Sequence, residues 1–365
     1  MGGAEKVLEN LHGMFPAAPV YTSAYDPEAM PAYYRTWDIR TSFLQRLPLK
    51  QKLHRAALPL YPLAFESFDL SEYDLVISSS SAFARGVITQ PDTVHICYTH
   101  TPMRYAWATQ TYMENERVGK ISRALATPVL HYLRLWDASA AQRPDYYIAN
   151  SSVVAARIRK FYRRDSLIVH PPVDTARFTI TDSSDDYYIV VSRFVPYKRL
   201  DLAIDAFTRL GRPLKVVGTG RQKEALQARA GKNVEFLGRV GDDDLPRLVA
   251  RARAFVMPGE EDFGIAPVEA MACGVPVIAY GAGGALDTQC DGKTGVLFRE
   301  PTVDGLCEAV RRFESLRFDP LTIRAHSRCF DQQTYVNNMA DLITQVMEER
   351  PLSVLPTPIL QEQAV

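Results

Sequence analysis

The sequence predicts an α/β protein of two domains, each carrying a mostly parallel sheet, and three observations lead there. Short runs rich in Val, Ile and Tyr alternate with helical stretches from Tyr73 to Tyr162 and again from Tyr188 to Phe298. Strands separated by helical patterns argue for parallel pairing and right-handed crossovers. The alternation is broken once, at His170-Pro171-Pro172, where paired prolines make a stiff connection. A length of 365 residues suits about two domains with ample core. The boundary is therefore placed so that residues 1–172 form one domain and 173–330 the other.

In chain order, Gly2-Gly3-Ala4-Glu5 opens directly into a helix with Val7, Leu8, Leu11 and Phe15 on one face. Only Met1 precedes it. The family resemblance carried by the later motifs implies a strand before this turn, so the first strand, central in a doubly wound sheet, is expected to be missing here and the natural start to lie upstream. Val20-Tyr21-Thr22 reads as a strand, and residues 38–66 read as helical. There Arg46, Lys50, Lys52, His54 and Arg55 interleave with Leu44, Leu47, Leu49, Leu53, Leu58 and Leu60. That pattern fits an ordinary amphipathic pair of helices or a surface that leans on a membrane. Strands follow at 73–78 and 94–98, a long helix over 117–143, and a strand at 146–149. Asn150-Ser151-Ser152 caps the helix that runs to Tyr162. Ile168-Val169 is a last strand before the prolines.

The second half restarts the alternation, with strands at 188–191, 214–217, 234–237, 254–257, 277–279 and 296–298. Two helical segments follow, then a final helix from Phe330 to about Glu349 with Tyr335, Met339, Leu342, Ile343 and Val346 apolar. The Pro-rich tail 351–365 is expected to be disordered.

Composition removes several classes. Lys plus Arg and Asp plus Glu both number 42, so no polyanion partner is implied and no nucleic-acid motif stands out. Apolar content of 47% is ordinary for a globular protein, and no apolar run approaches the ~18 residues of a membrane span. The five cysteines are an odd number without a Cys-x-x-Cys pair. They read as reduced cytosolic thiols rather than a disulfide framework or zinc site.

The chemistry concentrates in residues 255–275. Phe255-Val256-Met257 reads as a buried strand stopped by Pro258-Gly259, followed by Glu260, Glu261 and Phe263-Gly264. A helix should begin near Ala266, with Pro267 in its first turn, and end at Gly274. Loops after parallel strands lie at the carboxyl edge of the sheet, where open α/β sheets bind ligands. Glu261 and Glu269 flank the helix start, and carboxylates accept hydrogen bonds from vicinal hydroxyls such as those of a sugar or ribose. Acids there could also simply complement the helix dipole. Arg193 and Lys198, in Ser192-Arg193-Phe194-Val195-Pro196-Tyr197-Lys198, follow the first strand of the second domain. A planar fork and a point charge suit a diphosphate, whereas a plain helix start more often carries acids. Gly218-Thr219-Gly220 fits any tight turn, and Gly281-Ala282-Gly283-Gly284 a phosphate support or a plain turn. Asp242-Asp243-Asp244 is expected to cap a helix rather than bind a metal.

The Glu-x7-Glu spacing with Phe-Gly between, followed by Glu-Ala-Met-Ala-Cys-Gly, resembles the retaining GT-B glycosyltransferases of glycosyltransferase family 4. The stretch His100-Thr101-Pro102-Met103-Arg104-Tyr105-Ala106-Trp107 looks like that of GDP-mannose-dependent mannosyltransferases of lipopolysaccharide and exopolysaccharide synthesis. The resemblance implies two facing Rossmann-like domains with an interdomain cleft, the final helix 331–349 completing the first domain. It implies that Glu269 holds the ribose of a nucleotide-sugar donor, that Glu261 and the backbone of Phe263, Gly264 and Ile265 hold its sugar, and that Arg193 and Lys198 neutralise the departing diphosphate. Val240 would meet the nucleobase, Gly3 would cover the diphosphate and His100 would lie near the donor sugar. Arg104 suits either an acceptor phosphate or a structural ion pair. The expected reaction is transfer of a hexose, mannose from GDP-mannose, to a lipid-linked or oligosaccharide acceptor. No metal or other cofactor is expected, and the protein would be cytoplasmic with peripheral association at the inner membrane face. The alternatives are a nucleotide-sugar 2-epimerase on the same fold and a truncated, non-catalytic nucleotide-sugar-binding protein.

Overall fold

A computed structural model describes residues 2–47, 57–109, 120–181 and 183–348. The chain divides into two compact units, one containing Met1–Val169 and the final helix from Asn338, the other His170–Asn337.

In the first unit, helix α1 (Gly3–Met14) buries Val7 and Leu11. Gly2 donates its N–H to Glu5 Oε2 at 2.8 Å, which satisfies one of the open donors at the helix start. Phe15 lies past the helix end and is exposed, so it does not share the apolar face expected of it. Strand β1 (Val20–Thr22) pairs in parallel with β2 (Ile39–Thr41). This corrects the helical reading of 38–66. Extended backbone occupies 39–41, and Ser42 Oγ then accepts from the Leu44 N–H at 3.2 Å, closing a 3-10 turn over Phe43–Arg46. Such local side-chain bonds compete with continuous helix. Another 3-10 turn (Leu58–Leu60) leads into α2 (Tyr61–Glu66), each with a proline in its first turn. Lys50, Lys52, His54 and Arg55 lie outside the described residues.

A separate four-stranded parallel sheet follows, ordered β3 (Leu75–Ser80), β4 (Val94–Thr99), β5 (Tyr146–Ala149), β6 (Leu167–Ile168). Between its strands run α3 (Arg104–Trp107), α4 (Lys120–Ala140) and α5 (Ser152–Tyr162). Ser151 caps α5 by accepting from the Val154 N–H at 3.4 Å. Under the helices sits a fully buried ion pair, Arg85 Nη1 to Asp137 Oδ1 at 3.1 Å. Asp137 Oδ2 also accepts from Trp107 Nε1 at 2.7 Å and from the Tyr162 hydroxyl at 2.8 Å.

The second unit is a six-stranded parallel sheet formed by β7 (Tyr188–Val191), β8 (Leu214–Val217), β9 (Val234–Gly238), β10 (Ala254–Met257), β11 (Val277–Tyr280) and β12 (Gly295–Phe298). Its order is β12-β11-β10-β7-β8-β9. Winding thus reverses between β7 and β10, which pair Tyr188 with Ala254. Neighbouring residues on each strand enter opposite cores. Tyr188, Val190, Val256 and Ile278 pack with α6 (Leu200–Leu210) and, further along the chain, the helix at Val303–Ser315. Ile189, Phe255, Met257 and Val277 pack on the other face, with the helices at Leu245–Ala250, Ile265–Ala272 and Pro320–Ser327. That two-residue period, with both faces covered, makes these strands continuous apolar runs. The last helix, Gln332–Met347, buries Tyr335, Met339, Leu342, Ile343 and Val346. The tail 351–365 lies outside the described residues.

Candidate active site

The loops that follow β7 and β10 emerge side by side where the sheet order reverses, the crevice in which open α/β sheets take their ligands. After β7, the side chain of Phe194 turns into the core at 1% exposure while Arg193 is left at the surface. The Arg193 guanidinium has no partner among the described residues. Pro196–Lys198 forms a 3-10 turn, and Arg199 at φ +50° redirects the chain into α6. Two glycines of the next loop hold this one. A Cβ on Gly218 would overlap the Ser192 carbonyl, and one on Gly220 would lie 2.6 Å from the Phe194 carbonyl oxygen. The Gly-x-Gly after β8 is thus a close backbone approach that sets the loop bearing Arg193.

The loop after β10 is held from both sides. Gly259 packs on the backbone of Tyr197 and Lys198, and Glu261 bridges to Gly283. Gly284 donates its N–H to the Glu261 carbonyl at 2.8 Å. Phe263 is 3% exposed and its ring packs on His170 and Phe330, centroids 5.3 and 5.6 Å away. Its ring therefore belongs to the core. Gly264 stands at φ +92°, a left-handed turn that points the chain into the helix Ile265–Ala272. The first N–H groups of that helix have no intrahelical acceptor and favour negative charge or hydroxyl oxygens. Glu269 lies one turn further in and is half-buried.

Lys198 and Glu261, for which the family resemblance implies roles at a leaving group and a sugar respectively, form an ion pair with each other. Neither residue type nor spacing announced this pair, since 62 residues separate the two in sequence. Val240 follows β9 on the same carboxyl edge and packs partly against the core. Among the sequence-selected residues, Arg193, Lys198, Val240, Glu261, Phe263 and Gly264 thus belong to the connections at one edge of the second unit's sheet, and Ile265 and Glu269 to the helix that one of them opens. Asp244 stands at the N-cap of the helix Leu245–Ala250, but its side chain makes no capping bond, contrary to expectation. The Gly241 carbonyl accepts the Asp244 and Leu245 N–H groups instead.

His100, Arg104 and Gly3 belong to the first unit. His100 follows β4 at the carboxyl edge of that sheet, its Nε2 2.8 Å from Ser79 Oγ and its carbonyl accepting from Asn150 Nδ2 at 3.0 Å. Arg104 opens the short helix α3, and Gly3 is the first residue of α1. His95, at the other end of β4, is fully buried against Ser78 Oγ at 2.9 Å, and burial pushes its pKa down to about 4.

Comparison with known proteins bears on these loops. Residues 1–177 match the family model "Glycosyltransferase Family 4", and residues 174–328 match "Glycosyl transferases group 1". A GDP-mannose-dependent alpha-(1-6)-phosphatidylinositol monomannoside mannosyltransferase of Mycolicibacterium smegmatis is 37% identical over 140 residues, 33% of this chain and 37% of that protein. A glycogen synthase of Pseudomonas syringae is 28% identical over 231 residues, 59% of this chain and 45% of that protein. The matches thus span well under two thirds of these relatives. Among solved structures, a sucrose-phosphate synthase from Thermosynechococcus elongatus aligns over 96% of this chain and 94% of its own, with TM-score 0.70 and 18% identity. Anabaena HepE in complex with UDP aligns over 94% and 96%, with TM-score 0.67 and 18% identity. At such identities the likeness shows the fold, which is GT-B with two Rossmann-like domains.

Proposed function

The chain belongs to the family 4 and group 1 glycosyltransferases, and from that premise we propose that it moves a hexose, mannose from GDP-mannose, to a lipid-linked or oligosaccharide hydroxyl with retention at the anomeric carbon. The observation that carries this reading is the grouping of Arg193, Lys198 and Glu261 with the N-terminus of the helix Ile265–Ala272 at the reversal of the sheet order. Cations and helix N–H groups aimed where charge develops stabilise a departing diphosphate. A diphosphate oxygen would take the acceptor proton as the new bond forms on the same face. Glu269 would hold the ribose, Glu261 and the Gly264–Ile265 backbone the sugar, and the loop at Val240 the base. His100 would orient the sugar, Arg104 would meet an acceptor phosphate and Gly3 would cover the donor from the first unit. The mannosyl choice is supported by the phosphatidylinositol monomannoside mannosyltransferase relative. The glycogen synthase relative and the UDP-bound neighbour argue for testing other donors beside it.

The reading places the enzyme in the cytoplasm, at the inner membrane face when its acceptor is lipid-linked. All five cysteines are unpaired, as in a reducing compartment. No helix among the described residues is long and apolar enough to cross a membrane. The test is a thermal-shift panel with GDP-, UDP- and ADP-sugars, followed by product analysis with and without acceptor. Stabilisation by GDP-mannose and acceptor-dependent release of GDP are expected. Epimerised sugar formed from donor alone would replace transfer with isomerisation, and no shift with any donor would remove the donor site.

A further inference from the structure

We propose that Glu261 is a displaceable counter-ion of Lys198, so that the donor's diphosphate must exchange with a carboxylate already seated on the lysine. The inference rests on the donor reading above and deepens it. It starts from an asymmetry between the two cations of the β7 loop. Arg193 is exposed without a partner among the described residues, whereas Lys198 is paired with Glu261, their side chains 15% and 21% exposed.

The pair is built by the backbone rather than by two long side chains meeting at random. Lys198 ends the 3-10 turn that rests on Gly259, and its ammonium also lies 5.2 Å from the centre of the Tyr197 ring. Glu261 is held by its bridge to Gly283 and by the Gly284 N–H. Both backbones are thus fixed before any ligand arrives, so only the freedom of the two side chains opposes the pair. An arriving diphosphate meets the open Arg193 fork first and then competes with Glu261 for Lys198. Once displaced, the carboxylate is left three residues before the helix start at Gly264, free to accept from sugar hydroxyls. When the sugar has gone to the acceptor, Glu261 loses those hydroxyls and reclaims Lys198, which promotes release of the nucleoside diphosphate. The same exchange disfavours ligands with one phosphate or none, because they bring too little charge to displace the carboxylate.

A Glu261 that only holds sugar predicts no effect on binding of a nucleoside diphosphate, which carries no sugar. Exchange predicts tighter binding when the carboxylate is removed. The experiment is calorimetric titration of GDP into the full-length protein, its Glu261→Gln and Glu261→Ala variants, Lys198→Met, and the Lys198→Met/Glu261→Gln double variant, with circular dichroism confirming the fold. A pair this buried is worth about 1 kcal/mol, so both Glu261 variants should bind GDP about five-fold tighter than wild type. Lys198→Met should bind more weakly, and adding Glu261→Gln to it should change nothing. Unchanged or weaker GDP binding by folded Glu261→Gln and Glu261→Ala overturns the counter-ion role and leaves the donor reading in place. An equal tightening in the Lys198→Met background also overturns it, since the effect would then be a general field. If wild type binds none of GDP, UDP and ADP, the donor reading fails and this inference with it.

Discussion

Gly218→Ala should disturb the candidate site from a position that touches no ligand. Gly218 sits at φ +124°, and an added Cβ would fall 1.9 Å from the carbonyl oxygen of Ser192. The backbone conformation alone costs a non-glycine residue about 1–3 kcal/mol. Relieving the overlap by moving packed backbone costs about 1–3 kcal/mol more. The neighbour cannot yield cheaply, because Ser192 donates its N–H to the Val217 carbonyl at 3.0 Å and Phe194 anchors the loop in the core. A total near 4 kcal/mol corresponds to a fall in Tm of about 8–16 °C for a unit of this size. The displaced segment carries Arg193, and a misplacement of about 1 Å at a catalytic group can cost about 100-fold in turnover. Differential scanning calorimetry and initial rates with saturating donor measure the two effects. Gly241→Ala is the control in the same unit, where a Cβ meets only Asp244 Oδ2 at an ordinary 3.6 Å. A Gly218→Ala protein as stable and active as Gly241→Ala would refute the claim that this glycine sets the Arg193 loop.

Other outcomes follow from the same geometry. Glu269→Ala should weaken donor binding by about 1.5–3 kcal/mol, the range for hydrogen bonds to charged groups. Wild-type affinity by calorimetry would take Glu269 out of the site. Asp137→Asn leaves the buried Arg85 without its counter-ion and should cost about 3–5 kcal/mol. Urea unfolding followed by tryptophan fluorescence reads it directly, because Trp107 donates to this carboxylate. His95 titrates at about 4 when folded against 6.5 for the free side chain. The unfolded chain therefore binds the extra proton between those values, so the stability is complete above about pH 6.5 and lost as pH falls towards 4. The loss amounts to about 3 kcal/mol. His95→Gln should flatten the dependence of Tm on pH across that window, and an unchanged slope would assign the acid sensitivity elsewhere.

The second unit was legible because its strands are buried on both faces. Runs such as Phe255-Val256-Met257 and Val277-Ile278-Ala279 are apolar without interruption, and glycine or proline bounds most of them. Residues 38–66 misled for the opposite reason. Leucines interleaved with basic residues mimic a helical face, while the choice of strand at Ile39–Thr41 comes from pairing with Val20–Thr22, a contact the local pattern does not contain. In the site, charged residues such as Arg193 and Glu269 could be picked by type and by position after a strand. What the pattern could not supply was who meets whom, because the Lys198–Glu261 pair joins loops from two different strands.

That missing information is carried by glycines. Gly218 and Gly220 seat the Arg193 loop, Gly259 seats Lys198, and Gly283 with Gly284 seats Glu261 and Phe263, each by backbone packed on backbone. None of them offers a side chain to a ligand, so in the sequence alone they read equally well as plain turns. Preorganised charge depends on such contacts, since a lysine or glutamate on a freely moving loop would spend binding energy on being ordered before it could act. The rigidity has a consequence for the counter-ion exchange as well. With both backbones held, the side chains alone must part when a diphosphate arrives, so the exchange requires rotamer changes at Lys198 and Glu261 and no movement of the loops that bear them.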